Sequence, residues 1–124
     1  MANLTPDRIK ILLVEDSEFA REVARSHLNQ LGFTRIFAAS DGMIAFERLK
    51  KLTVDLIITD WTMPRMDGLA FLRNVKKDPR LSGIPFIMLT AHGDKEKVIE
   101  AVKSGASDYI VKPVTPEILK EKIK

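Results

Sequence analysis

Short, almost wholly apolar runs alternate with amphipathic helical patterns along the entire chain, and this alternation restricts the fold more than any other feature of the sequence. The runs are Ile9 to Val14, Ile36 to Ala39, Val54 to Thr59, Pro85 to Thr90 and Tyr109 to Val111. They are rich in β-branched or aromatic residues and too continuously apolar for strands with one wet face. Strands covered on both faces and separated by helices are the mark of repeated βαβ units, and hence of a parallel sheet. Five buried strands are expected.

The intervening segments carry helical faces. Phe19, Val23, Ala24, Leu28 and Leu31 share one, and Phe46 and Leu49, Phe71, Leu72 and Val75, Val98, Ala101 and Val102, and Leu119 and Ile123 form four more. Gly32 and Gly105 stand where a helix end takes a left-handed residue. Thr115, Pro116 and Glu117 supply an N-cap, a first-turn proline and an acid at the positive end of the dipole. The spacing predicts an α/β fold of five strands and five helices. No Gly/Ser linker, repeat or low-complexity tract interrupts it, so residues 1 to 124 are expected to form a single domain.

Composition narrows the setting. At 124 residues and 45% apolar content, the chain can bury one core and not two. The absence of cysteine excludes disulfides and thiolate metal sites and suits a reducing cytoplasm. No stretch approaches the roughly 18 to 20 apolar residues of a membrane span, and the first residues, Met-Ala-Asn-Leu-Thr-Pro-Asp, lack the layout of a signal peptide. The net charge of +3 comes from basic residues interleaved with acids, which describes a solvated mixed surface better than a nucleic-acid footprint. Arg73 to Arg80 and the tail lysines Lys120, Lys122 and Lys124 lean basic and would favour an acidic partner.

In an open parallel sheet, ligands bind beyond the carboxyl ends of the strands, where the strand order reverses. The residues leaving strands one, three, four and five are Glu15-Asp16, Asp60, Thr90-Ala91 and Lys112-Pro113. Three crowded carboxylates raise one another's pKa unless a cation lies among them. Oxygen-only ligands suit a hard ion, and Mg²⁺ accepts carboxylates, a carbonyl and waters while bridging to phosphate. Lys112 adds a point charge for an anion and Thr90 a hydroxyl, while one of the carboxylates can serve as nucleophile.

Four blocks carry a family resemblance: Leu12-Leu13-Val14-Glu15-Asp16-Ser17, Asp60-Trp61-Thr62-Met63-Pro64-Arg65-Met66-Asp67-Gly68, Leu89-Thr90-Ala91 and Gly105-Ala106-Ser107-Asp108-Tyr109-Ile110-Val111-Lys112-Pro113. In order and spacing they resemble the receiver domain of two-component response regulators, over essentially the whole chain. The Asp-Trp-x-Met-Pro stretch and the Tyr three residues before Lys112 resemble the CheY-like chemotaxis branch. The resemblance implies a doubly wound, flavodoxin-like sheet of order 2-1-3-4-5.

The resemblance further implies that Asp60 takes a phosphoryl group from a histidine kinase. Asp16, Asp60 and the Thr62 carbonyl would ligate Mg²⁺, with Glu15 acting through a water. Lys112 and Thr90 would hold phosphoryl oxygens, Pro113 would follow a cis bond, and Thr90 with Tyr109 would form the switch that alters the face of the fourth helix, fifth strand and fifth helix. Thr62 and His92 occupy the two positions that tune hydrolysis in this family, and neither is the residue of the best-known chemotaxis regulators. A chemotaxis-type kinase, a flagellar motor switch protein and a phosphatase are the implied partners.

Plainer roles stand beside these. Asp16 or Ser17 could cap the first helix, Lys112 could be a solvated lysine, and Trp61 could pack in the core as readily as report on a site. His27 carries no functional expectation, and Gly68 and Gly105 are expected to serve backbone conformation alone. A phosphohydrolase of the haloacid dehalogenase type would carry a second Asp where Thr62 stands, and no Gly-rich nucleotide loop follows any strand. A docking-only pseudo-receiver, or a receiver cut from a longer regulator with an effector domain, remain the alternatives.

Overall fold

In the computed structural model, residues 5–91 and 95–123 are described. After a short 3-10 turn at Pro6–Arg8 come β1 (Lys10–Val14), α1 (Glu18–Gln30), β2 (Arg35–Ala39), α2 (Gly42–Leu49), β3 (Leu56–Asp60), α3 (Gly68–Lys77), β4 (Phe86–Thr90), α4 (Lys95–Lys103), β5 (Asp108–Val111) and α5 (Pro116–Ile123). The strands are all parallel and lie in the order β2-β1-β3-β4-β5, the order the receiver resemblance implies.

Alternation along the strands splits the core into two layers. Ile11 and Leu13 of β1 face Ala24 and Leu28 of α1 and Leu119 of α5, whereas Leu12 and Val14 face Ala45 and Leu49 of α2, Phe71, Leu72 and Val75 of α3 and Ala101 of α4. Each fully buried Leu, Ile, Val or Phe among them contributes roughly 1.5–3 kcal/mol by leaving water. With both faces covered, β1, β3 and β4 have no reason to alternate polar residues, which is why their apolar runs are continuous.

Three expectations need correction. β3 begins at Leu56 rather than Val54, because Asp55 serves as a lead-in: its amide donates to the Lys10 carbonyl (2.8 Å) and its carboxylate accepts from the Lys10 amide (2.9 Å). Phe19, in the first turn of α1, is 81% exposed, and the helix meets the core further along, through Ala24 and Leu28. Val102 is half-exposed (52%), so α4 contacts the core mainly through Ala101.

The punctuation holds. Ser17, not Asp16, caps α1, its Oγ accepting from the Ala20 amide, and Asp41, Asp67 and Thr115 cap α2, α3 and α5 in the same way. Gly32 and Gly105 have φ of +97° and +111°. Among the described residues no helix is long and apolar enough to cross a membrane. The basic segments are partly neutralised, Arg73 by Glu100, Arg80 by Asp78 and Lys122 by Asp108, while Lys124 lies outside the described residues.

Candidate functional site

The chain leaves β1 outward to β2, then crosses back to place β3 on the other side of β1, so the order reverses between β1 and β3. Glu15 and Asp16 follow β1, and Asp60 ends β3. A carboxylate oxygen from each of the three lies within 4.8 Å of the others. Two of the residues are deeply set, Glu15 at 3% and Asp60 at 7% exposure, while Asp16 faces solvent.

Lys112 reaches this cluster from just beyond β5, after which the Lys112–Pro113 peptide is cis, as expected. Its Nζ lies 3.0 Å from Asp60 Oδ1 and 3.1 Å from Glu15 Oε1. A solvated lysine is thereby excluded. Burial alone would depress the Lys112 ammonium, but hydrogen bonds and charge from Asp60 and Glu15 outweigh it and raise its pKa. Glu15 shows the converse: burial, then the Asp60 charge, push its carboxyl above the ordinary value despite the Ser17 amide and Lys112. Thr90, also buried, ends β4, and its carbonyl accepts from the Lys112 amide at 2.8 Å.

A carboxyl group whose pKa is higher folded than unfolded opposes folding when ionised, and this cost disappears as pH falls through the folded value. Metal-free Glu15→Gln protein is therefore expected to melt above wild type at neutral pH, with the gap closing on acidification. Adding Mg²⁺ should reverse the order. Thermal melts across pH, with and without Mg²⁺, check this; a Gln variant that melts lower in metal-free buffer contradicts it.

Thr62, Trp61 and Tyr109 are the other expected residues whose positions are described. Thr62 lies exposed two residues past Asp60, and half-buried Trp61 carries Lys97 Nζ 5.5 Å from its ring centroid. Tyr109 is half-buried on β5 with Lys122 Nζ 5.6 Å from its ring centroid. His92 lies outside the described residues.

Two supports carry no signature in the sequence. Arg21 of α1 donates from Nη1 to the Glu15 carbonyl at 2.9 Å, and Arg65 pairs with Asp41 at 2.7 Å. Both pairings span distances that no local pattern encodes, although Asp41-Gly42 before an apolar run is a readable helix start. Alongside the cluster, Phe19, Ala20, Val23, Pro113 and Val114 line an apolar cleft of about 420 Å³ whose polar wall is Glu15 and Lys112.

An oxygen-only set of three convergent carboxylates fits a hard divalent cation, and a lysine beside a carboxylate on a strand end fits an anion brought to that carboxylate. The model of the response regulator receiver domain matches residues 11–124, and the chain belongs to that family, the phospho-switch class of two-component signalling. Within it the sequence is CheY-like. The chain is 42% identical over 117 residues to chemotaxis protein CheY1 of Helicobacter pylori, covering 94% of each chain. Among solved structures, CheY4 of Vibrio cholerae matches with a TM-score of 0.85 and 33% identity over 93% of this chain and 95% of that one. The receiver domain of a Pseudomonas aeruginosa sensor histidine kinase, described with a magnesium ion coordinated in its active-site cleft, matches with a TM-score of 0.83 and 28% identity, covering 91% and 92%.

Proposed function

We propose that this chain acts as a CheY-like chemotaxis receiver that takes a phosphoryl group onto Asp60 from a histidine kinase. The observation that carries the reading is the joint arrival of Asp60, Glu15, Asp16 and Lys112 at one strand edge, with an ammonium 3.0 Å from the acceptor carboxylate. The carboxylate oxygen of Asp60 attacks phosphorus, the P–N bond of the phosphohistidine breaks, and the imidazole leaves with a proton. An O–P bond to Asp60 replaces it.

Asp16 and Asp60, with the Thr62 carbonyl, would hold Mg²⁺, and Glu15 would act through a water. When bound, the ion neutralises charge on the transferring phosphoryl oxygens. Lys112, now shared between Glu15 and Asp60, would turn to a phosphoryl oxygen, and the Thr90 hydroxyl would donate to another. Thr62 and His92 occupy the positions expected to set phosphoryl lifetime. Movement of Thr90 and inward rotation of Tyr109 would alter the face of α4, β5 and α5, where a motor switch component or a phosphatase would read it. Such a regulator would work in the cytoplasm, beside its kinase and its target.

Acetyl phosphate supplies a donor without a kinase. Wild type is expected to gain one phosphoryl group by intact mass, and to change Trp61 fluorescence, only when Mg²⁺ is present. Asp60→Asn should do neither. An equal adduct on Asp60→Asn would sink the assignment.

A further inference from the structure

The loop between β3 and α3 carries Thr62, and its far end is fastened by a contact that belongs to none of the expected site residues. Arg65 adopts φ of +63°, a left-handed backbone that side chains other than glycine and asparagine disfavour. Its guanidinium compensates: Nε and Nη2 donate to Asp41 Oδ2 at 2.9 and 2.7 Å. Asp41 is 4% exposed, and its Oδ1 accepts from the Ile44 amide at 2.9 Å at the start of α2. Burial works against the Asp41 charge, but the Ile44 amide and Arg65 outweigh it and hold the carboxyl below its ordinary value, so the pair is ionised at neutral pH.

Neighbouring contacts make the attachment rigid. The Gly42 amide donates to the Met66 carbonyl at 3.2 Å, and a Cβ on Gly42 would lie 2.7 Å from that oxygen. At the other end, the Gly68 amide donates to the Trp61 carbonyl at 2.7 Å. Residues 61 to 68 thus form a loop closed on itself and pinned to α2 at Arg65 and Met66.

We propose that Arg65, acting through Asp41, is a positioning residue that fixes the carbonyl-bearing stretch at Thr62 for metal binding. This rests on the Mg²⁺ site of the proposed function. The guanidinium is 58% exposed although the Asp41 side chain is only 5% exposed, so solvent screens the pair from the arginine side, and its loss in a glycine variant is offset by relief of the left-handed backbone. Its effect is local: a ligand held in place beforehand costs less to order when the cation arrives.

The full chain is titrated with Mg²⁺ while Trp61 fluorescence is followed, in wild type, Arg65→Gly, Asp41→Asn and the double variant, with a thermal melt of each. Glycine is at ease with φ of +63°, so Arg65→Gly removes the clamp and relieves the backbone together; asparagine retains a capping oxygen and loses the charge. Arg65→Gly is expected to melt close to wild type yet need roughly tenfold more Mg²⁺ for half-saturation. Asp41→Asn should shift the same way, and the double variant should be no worse than Arg65→Gly, since the two residues act as one unit. Unchanged Mg²⁺ affinity in Arg65→Gly, or independent additive losses, overturns the positioning role. No Mg²⁺ response in wild type overturns the metal site itself.

Discussion

Gly68→Ala is expected to be among the most damaging single-methyl additions in the molecule, lowering stability by about 3 kcal/mol or more. A Cβ at this position would sit 2.3 Å from the Asp60 carbonyl oxygen, 3.0 Å from Trp61 Cα and 3.0 Å from Met88 Sδ. Two of these three neighbours are backbone, which cannot swing aside as a flexible side chain would. Relief requires α3 to withdraw from the end of β3, and β3 ends in Asp60, the proposed acceptor. Against a folded state held by only about 5–15 kcal/mol, that is a large fraction. Gly83→Ala is the matched control, since nothing lies within 4 Å of its added methyl. Urea unfolding followed by circular dichroism should leave Gly83→Ala close to wild type and move the Gly68→Ala midpoint far down. Similar midpoints for the two would show that α3 is not closely packed on β3.

The second large effect belongs to Lys112. Its ammonium is the cation shared by two buried carboxylates. Removing one partner of a buried ion pair costs several kcal/mol, and since the Lys112 side chain is 29% exposed, Lys112→Ala should cost about 2 kcal/mol in metal-free buffer. A lysine whose pKa is raised by folding contributes stability that is present below its unfolded value and is lost only as pH rises through the folded one. Across the neutral range wild type therefore has this contribution in full, and the variant lacks it. Acidification should restore the variant in part as the orphaned carboxylates take up protons. Mg²⁺ should stabilise it more than wild type, because the cation then has no competitor. Phosphoryl uptake from acetyl phosphate should nonetheless fall by about a hundredfold, the usual scale for losing one preorganised charge at the reacting group. Denaturation curves with and without Mg²⁺, set beside uptake rates, separate the two roles. A variant as active as wild type would remove Lys112 from the phosphoryl site.

Layer architecture was legible in the sequence because a strand buried on both faces must be apolar at every position, and β1, β3 and β4 are nearly so. Helix ends were legible at Gly32, Gly105 and Thr115 because each fills a conformational or hydrogen-bonding need that few residue types meet. The carboxylate cluster was legible for a topological reason: strand ends in a parallel sheet converge, so Glu15, Asp16, Asp60 and Lys112 could be brought together without coordinates. Phe19 misled because helical periodicity reports which face a residue lies on, not whether the sheet extends far enough to cover it. Gly68 was assigned to backbone conformation, yet its backbone is not left-handed; it is required by a close approach from Asp60, which only the packed structure shows. The clamp between Arg65 and Asp41 joins two loops 24 residues apart through one φ of +63°, and no periodicity encodes that.

Asp60, one side chain among many carboxylates, is the proposed carrier of the phosphoryl group. An acyl phosphate can be reduced by borohydride, which converts the modified aspartate to homoserine and leaves free carboxylates untouched. After exposure to acetyl phosphate and Mg²⁺, reduction and peptide mass mapping should place homoserine at position 60 in wild type, nowhere when Mg²⁺ is withheld, and nowhere in Asp60→Asn. Homoserine at Asp16, at another acid, or spread over several positions would contradict the account.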